Sequence, residues 1–219
     1  MEKTTFDFGY GPVPAHQHAN GGGWVAETAY VADTAYVGSR AQVYGEAWVS
    51  GEAWVYGNAQ VYGNARVSGE AWVSGEARVS GEAWVGGEAW VYGNARVFGN
   101  AQVYGNARVY GNAWVFGNAQ VYGNAQVYGN ARVCGNAWVS GEARVTTTPL
   151  MISGLEYAVT VCDNQVQIGC KTVPAATQLS ADLFPDETCP VLRACAHTLI
   201  PLIQGHYARA AQVEVTERD

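Results

Sequence analysis

The sequence has few charged residues and no long apolar run, and each absence excludes a class of protein. Charged residues make up 14% of the 219 residues, which is too few for a disordered polyampholyte. No segment approaches the roughly 20 consecutive apolar residues that a membrane-spanning helix needs. The first residues contain no apolar stretch typical of a secretory signal. We therefore expect a cytoplasmic protein without a membrane partner.

Cysteine and basic residues are also sparse. The five cysteines are an odd number and all follow position 133, which does not fit the framework of a secreted disulfide-rich domain. Between Val25 and Thr146 there is no lysine, and nine acidic residues nearly balance seven arginines. Nucleic-acid binders show a basic stripe, and this segment has none, so we expect no nucleic-acid partner.

What is abundant is a repeat of six residues. Valine occupies every sixth position from Val25 to Val145, 21 times in all, and from Ala29 onward alanine stands two residues before each valine. The consensus is Val-x-Gly-(Asn/Glu)-Ala-x. A glycine and a β-branched residue in every turn exclude a helix, and a Gly-Asn pair every six residues interrupts any long strand. The pattern predicts a β-solenoid of short strands joined by tight turns.

Each position of the repeat has a predicted place. Valine favours strands and should point inward, so both its neighbours point outward. Alanine should fill the narrow corner. Glycine and the Asn that follows it should adopt left-handed turn conformations. Asparagines stacked in successive coils should form amide ladders.

These Val-x-Gly-Asn-Ala-x hexads resemble the hexapeptide-repeat, left-handed parallel β-helix superfamily, which includes acyltransferases and gamma-class carbonic anhydrases. The resemblance implies three hexads per triangular coil, about seven coils and a left-handed winding. The run from Pro14 to Val25 resembles uncharacterised bacterial and phage Gly-Asn-Ala repeat proteins, some described as transferase-like. The expected fold is mainly β: an N-terminal cap (1–24), the β-helix (25–146) and a C-terminal α+β module (147–219).

Histidines are missing where the catalytic members of that superfamily carry them. The hexads contain no histidine and no inserted loop; the four histidines are His16, His18, His197 and His206. We therefore expect a non-catalytic scaffold or interaction protein without a cofactor, encoded by a phage or mobile element and binding a host defence protein or a structural assembly. The alternative is an acyltransferase-like enzyme whose site is completed across an oligomer interface, with His197 or His206 in it.

Aromatic residues concentrate on one predicted face. Positions 18 apart should stack, which brings several rings and three carboxylates into register. One hypothesis is that these residues form an interface for a protein partner or for a dimer or trimer; the other is that the rings stack for stability. We call this set the aromatic–acidic stripe: Tyr36, Trp54, Trp72, Trp90, Tyr56, Tyr92, Glu52, Glu70 and Glu88.

Two other groups of residues are candidates for a metal site and for a reactive thiol. His16 and His18 are a candidate metal pair, although a cap segment that hydrogen-bonds to the first coil is the preferred interpretation. Cys195 with His197 or His206 is a candidate thiol–imidazole pair, but residues two apart on a helix do not face each other. Core or surface residues are therefore the preferred interpretation there.

The two ends of the chain depart from the repeat. Residues 1–20 predict an irregular cap, with an outline set by prolines and glycines. Beyond Pro149, the segments Leu155–Cys162 and Gln165–Val173 predict two strands joined by a turn at Asp163-Asn164. Helices are predicted over Ala175–Phe184 and Cys189–Ala208, the second kinked at Pro201.

Overall fold

A computed structural model describes residues 4–152, 159–168, 171–174, 201 and 203–205. The predicted helix over 175–184 lies outside the described residues. Within the second predicted helix, over 189–208, only residues 201 and 203–205 are described, and they have helical backbone. No helix in these described ranges is long and apolar enough to cross a membrane.

The hexads form 21 short strands that wind into seven coils of three strands each, and successive coils pair in parallel. Sheet 1 contains β3 (Trp24–Ala26), β6 (Gln42–Val43), β9 (Gln60–Val61), β12 (Arg78–Val79), β15 (Arg96–Val97), β18 (Trp114–Val115) and β21 (Arg132–Val133). Sheet 2 contains β4 (Tyr30–Val31), β7 (Trp48–Val49), β10 (Arg66–Val67), β13 (Trp84–Val85), β16 (Gln102–Val103), β19 (Gln120–Val121) and β22 (Trp138–Val139). Sheet 3 contains β5 (Tyr36–Val37), β8 (Trp54–Val55), β11 (Trp72–Val73), β14 (Trp90–Val91), β17 (Arg108–Val109), β20 (Gln126–Val127) and β23 (Arg144–Val145).

The core consists of the two residue types that the pattern placed inside. Each strand pairs with the strand 18 residues away, so that Val73 lies between Val55 and Val91. From Val37 onward every repeat valine, like every repeat alanine from Ala35, is at most 1% exposed. Valine's rigid branched side chain suits this narrow interior, because it fills the space without a choice of rotamers. The predicted β-solenoid of about seven coils is confirmed, while its left-handed winding stays a prediction.

From the second coil onward glycine makes the turns, whereas in the first coil other residues occupy the same position without positive φ. The turn glycines, at every sixth position from Gly45 to Gly141, have φ between 62° and 71°, and no other residue type in the described part has positive φ. The expected left-handed conformation of the following Asn is therefore wrong. The glycines also stack: a Cβ on Gly51 would lie 2.7 Å from the carbonyl oxygen of Gly69. The turn thus excludes side chains for two reasons, its backbone angle and its contact with the next coil.

The residue after each glycine links the coils through its side chain. In the coils nearer the C-terminus, the Nδ2 of Asn94 donates to Oδ1 of Asn112 at 3.1 Å, and Asn112 in turn donates to Asn130 at 3.3 Å. A second ladder runs from Asn100 through Asn118 to Asn136. The predicted amide ladders are therefore present, and they explain why Asn recurs without a left-handed backbone.

The N-terminal segment is a β-hairpin and not the irregular cap that the sequence predicted. β1 (Thr5–Asp7) and β2 (Pro12–Gln17) are antiparallel, and β2 extends sheet 1 by pairing with β3. The Asp7 carboxylate accepts hydrogen bonds from the amides of Gly9 and Gly11, which fixes the turn and lowers the pKa of Asp7. Prediction missed the hairpin because prolines and glycines interrupt its alternation.

A four-stranded antiparallel sheet follows the coils: β24 (Leu150–Ile152), β25 (Val159–Val161), β26 (Gln165–Ile168) and β27 (Lys171–Pro174). The predicted hairpin turn at Asp163-Asn164 is correct, since Val161 pairs with Val166. The single strand predicted over 165–173 is wrong, because Ile168 pairs with Lys171 and the chain reverses between them. Asp163 and Asn164 also accept hydrogen bonds from the amides of Thr146 and Arg144, which joins this sheet to the last coil.

Cys162 belongs to the core of the coils at this end. It is fully buried, and burial, with a smaller contribution from Asp163, raises the pKa of its thiol from 9.0 to about 12. Because the folded state disfavours the thiolate, stability is retained below pH 9 and decreases as the pH rises from 9 towards 12. Cys134 lies at an intermediate depth.

We predict that glycine stacking makes some turns more sensitive to substitution than others. Gly141→Ala meets no atom within 4 Å and changes only the backbone preference, at a cost of about 1 kcal/mol. Gly51→Ala also drives a Cβ against the backbone of Gly69, for a total of about 3 kcal/mol. Urea denaturation followed by circular dichroism measures both, and equal losses would contradict the stacking argument.

We also predict unequal cysteine reactivity. The thiolate is the reactive form, so iodoacetamide at pH 8 should alkylate Cys134 in the native protein but leave Cys162 unmodified until urea is added. Peptide mass mapping measures both sites in one sample. Equal labelling of the two residues without denaturant would show that the Cys162 thiol is not buried in the core.

Candidate functional site

The central part of the aromatic–acidic stripe is one column of rings on sheet 3. Tyr36 stacks on Trp54 with centroids 4.7 Å apart, and Trp54 stacks on Trp72 at 5.5 Å. Trp72 stacks on Trp90 at 5.0 Å with an interplanar angle of 5°. The guanidinium of Arg108 covers the far side of Trp90 at 5.4 Å. The structure therefore brings together the four rings that the 18-residue spacing predicted, and adds a cation at one end.

The two remaining tyrosines of the stripe belong to the neighbouring column. Tyr56 meets Trp72 edge-on, with centroids 5.9 Å apart. Tyr92 stacks on Tyr110 at 4.9 Å, and Tyr110 on Tyr128 at the same distance. Tyr92 thus begins a second ladder and makes no ring contact with the tryptophans among the described residues.

The stacked rings present their edges, and not their faces, to solvent. Rings that are nearly parallel and one strand spacing apart cover each other's faces. Even so, Trp54 is 41% exposed and Trp90 40%, whereas Trp72 between them is partly buried. The column offers a partner a row of apolar edges, but it offers no flat aromatic surface on which a planar ligand could stack.

The three carboxylates of the stripe line the turn that leads into sheet 3. Glu52, Glu70 and Glu88 are exposed and lie one coil apart. Their backbone amides hydrogen-bond to the next coil, as Glu52 does to Gly69 at 2.9 Å. None of the three has an ion-pair partner in the described part of the chain, where the one ion pair joins His16 and Glu27. These three charges therefore remain available to a partner.

Sequence reasoning missed a third feature, on sheet 1. Trp114 lies between two guanidiniums, those of Arg96 and Arg132, each 5.0 Å from its ring. The signal was present, since the three residues are 18 apart in sequence. The net charge of the segment does not reveal it, because the contact depends on the column in which each arginine lies.

The two candidate metal-binding histidines do not form a pair. The Nδ1 of His16 lies 2.8 Å from the Glu27 carboxylate in an exposed contact. His18 is buried, and its Nε2 lies 3.0 Å from the carbonyl oxygen of Ala35. Both contacts join the N-terminal segment to the coils, and no cluster of three His, Cys, Asp or Glu residues suited to a metal occurs among the described residues. Cys195, His197 and His206 lie outside those residues.

We predict that the ring column contributes to stability through Trp72. Trp72→Ala removes two stacking contacts and one edge contact, which should cost about 2 kcal/mol. The matched control is Trp138→Ala on sheet 2, an exposed tryptophan without a ring contact in the described structure, which should cost clearly less. Thermal unfolding followed by circular dichroism compares them, and similar losses would show that stacking contributes little.

Comparison with known proteins agrees with the coiled architecture. The model of the YdcK beta solenoid repeat matches four segments of the chain, 59–75, 89–103, 101–117 and 125–141, all within the coils. No protein with curated annotation matches the chain. The repeat match and the coil geometry together identify the chain as a β-solenoid repeat protein.

Proposed function

We propose that the protein is a non-catalytic scaffold that binds a protein partner through the aromatic–acidic stripe. The observation that carries the proposal is the coincidence, on one side of a rigid rod, of exposed indole edges and three exposed carboxylates without a charged partner in the described structure. Interfaces combine such aromatic groups with a polar rim. The partner is either a different protein or a second copy of this chain.

The regularity of the coils supports a scaffold. In every coil, backbone hydrogen bonds such as Trp54 to Ala71 and Tyr56 to Val73, at 2.9 and 3.0 Å, join it to the next. These bonds hold the backbone positions of the stripe residues at a spacing of about 4.8 Å, so the backbone needs no ordering when a partner binds. A preorganised surface avoids part of the entropic cost of association.

The charge of the stripe indicates the chemistry of the partner. Neighbouring carboxylates about one strand spacing apart repel each other, by somewhat under 1 kcal/mol per pair in water. A row of lysines or arginines on the partner would remove that repulsion and gain attraction. We therefore expect a basic surface opposite Glu52, Glu70 and Glu88, and binding that weakens with salt.

The test compares two triple variants of the stripe. Changing Glu52, Glu70 and Glu88 to Gln should weaken association and flatten its salt dependence, while changing Trp54, Trp72 and Trp90 to Ser should weaken it by about tenfold or more. Sedimentation equilibrium measures self-association, and quantitative affinity capture at several salt concentrations, with the captured protein then purified and titrated, measures a foreign partner.

The control carries the same number of tryptophan changes on another face. Trp48, Trp84 and Trp138 of sheet 2 are exposed to a similar degree, so changing them to Ser matches the loss of apolar surface. Association retained in this control and reduced in the stripe variants supports the proposal. Association unaffected by the stripe variants, or absent from the wild-type protein in both assays, rejects it.

A further inference from the structure

Sheet 2 carries a groove that the regular repeat would not produce. Its volume is about 700 Å³, and it is lined by Glu46, Trp48, Asn64, Arg66, Glu82, Trp84 and Gln102. Small-molecule sites commonly have volumes of about 300 to 1,000 Å³. The groove lies on a different sheet from the aromatic–acidic stripe and shares no residue with it.

The groove exists because one tryptophan leaves its column. The indole of Trp84 lies over Gly86, where an added Cβ would be 2.8 Å from Cζ2 of the ring. Its Nε1 donates to Oγ of Ser68 at 3.0 Å, and its ring stacks on Tyr104 at 5.7 Å. Trp84 thus occupies the position of the side chain that Gly86 lacks, and the space between Arg66 and Gln102 is left open.

Trp48 forms the wall of the groove at the end nearer the N-terminus. Tyr30, from the preceding coil, stacks on one side of its indole at 4.0 Å, so the other side is turned towards the coil of Arg66. Trp48 is 48% exposed. Arg66 makes no cation–π contact in the described structure, unlike Arg96 and Arg132 on sheet 1. An apolar indole surface therefore remains accessible from the groove.

The polar side chains of the groove make no contacts with each other. Asparagines such as Asn94 and Asn100 pair along their ladders, but the side chains of Asn64, Arg66 and Gln102, like those of Glu46 and Glu82, have no hydrogen-bond or ion-pair partner among the described residues. The groove thus offers donors and acceptors together beside an apolar surface.

We infer that this groove binds a neutral oligosaccharide. The carboxylates of Glu46 and Glu82 repel an anionic ligand, and a cationic ligand can reach both of them only by passing the like charge of Arg66 on the coil between them, whereas a neutral ligand meets no repulsion. Sugar hydroxyls both donate and accept hydrogen bonds, which matches the guanidinium, amides and carboxylates present. The C–H surface of a pyranose ring suits the free side of Trp48. The length of the groove, two coils or roughly 10 Å from Trp48 to Trp84, admits more than one sugar unit.

The first test uses defined probes on the full chain. Maltotetraose, cellotetraose and chitotetraose are titrated by calorimetry, with tetragalacturonate and the chitosan tetramer as anionic and cationic counterparts. At least one neutral tetrasaccharide should bind, and its charged counterparts should bind about tenfold more weakly or not at all. No binding of any neutral probe up to about 10 mM, or equal binding of the charged probes, overturns the inference.

The second test places the binding site with three variants. Trp48→Ala removes the indole wall and should weaken binding about tenfold. Gly86→Ser should do the same by forcing Trp84 back over the groove, and serine is structurally acceptable because Ser50, Ser68 and Ser140 occupy equivalent positions. Trp54→Ala on sheet 3 is the control and should leave binding unchanged.

Circular dichroism establishes that each variant retains its fold, and NMR of the indole N–H groups gives a reading independent of affinity. The sugar should shift the signals of Trp48 and Trp84 and not that of Trp54. Binding that survives both groove variants, or that is lost equally in Trp54→Ala, rejects the groove as the site. Neither result bears on association through the aromatic–acidic stripe, so the two proposals fail separately.

Discussion

The close stacking of one glycine turn on the next is the constraint on which the rest of the structure depends. A side chain at Gly51 would meet the backbone of Gly69, so from the second coil onward the coils approach each other this closely only because their turns have none. That approach brings the backbone amides of each coil onto the carbonyls of the next, as in the 2.9 Å bond from Glu52 to Gly69. It also sets the single spacing at which every ring, amide and carboxylate column is built.

Much of this could be predicted from the sequence, because the repeat fixes both depth and register. The repeat valines, the corner alanines and the turn glycines each occupy the place for which their physical properties suit them, as the structure shows. Once the coil length is three hexads, spacing by 18 residues predicts which side chains meet. The contacts of Trp72 with Trp54 and Trp90 follow from this arithmetic alone.

The features that were not predicted depend on a single local contact, or on a neighbouring residue that has no side chain and so leaves space. Trp84 occupies the same position of the repeat as Trp72, yet it turns aside because Gly86 leaves room and Ser68 offers an acceptor. His16 and His18 are two residues apart, but one contacts Glu27 at the surface and the other is buried against Ala35. A periodic pattern describes average positions, and such exceptions come from a particular pair of neighbours.

The three sheets carry different chemistry on one framework. Sheet 1 places arginines around Trp114, sheet 2 opens a polar groove, and sheet 3 carries a continuous ring column. Because the core is the same behind all three, the outward residues are free to differ without affecting the packing of valine and alanine. The division of surfaces is therefore a property of the outward positions only.

The coil of 18 residues and the repeat of six give the chain two unequal ways to change length. Insertion or deletion of 18 residues would lengthen or shorten the rod by one layer, about 4.8 Å, and would leave every column on its own side. Insertion of six residues would preserve the core equally well, but it would rotate everything downstream by a third of a turn and move each column to the next side. Interior packing would tolerate both events, so only selection on the outer surface would distinguish them.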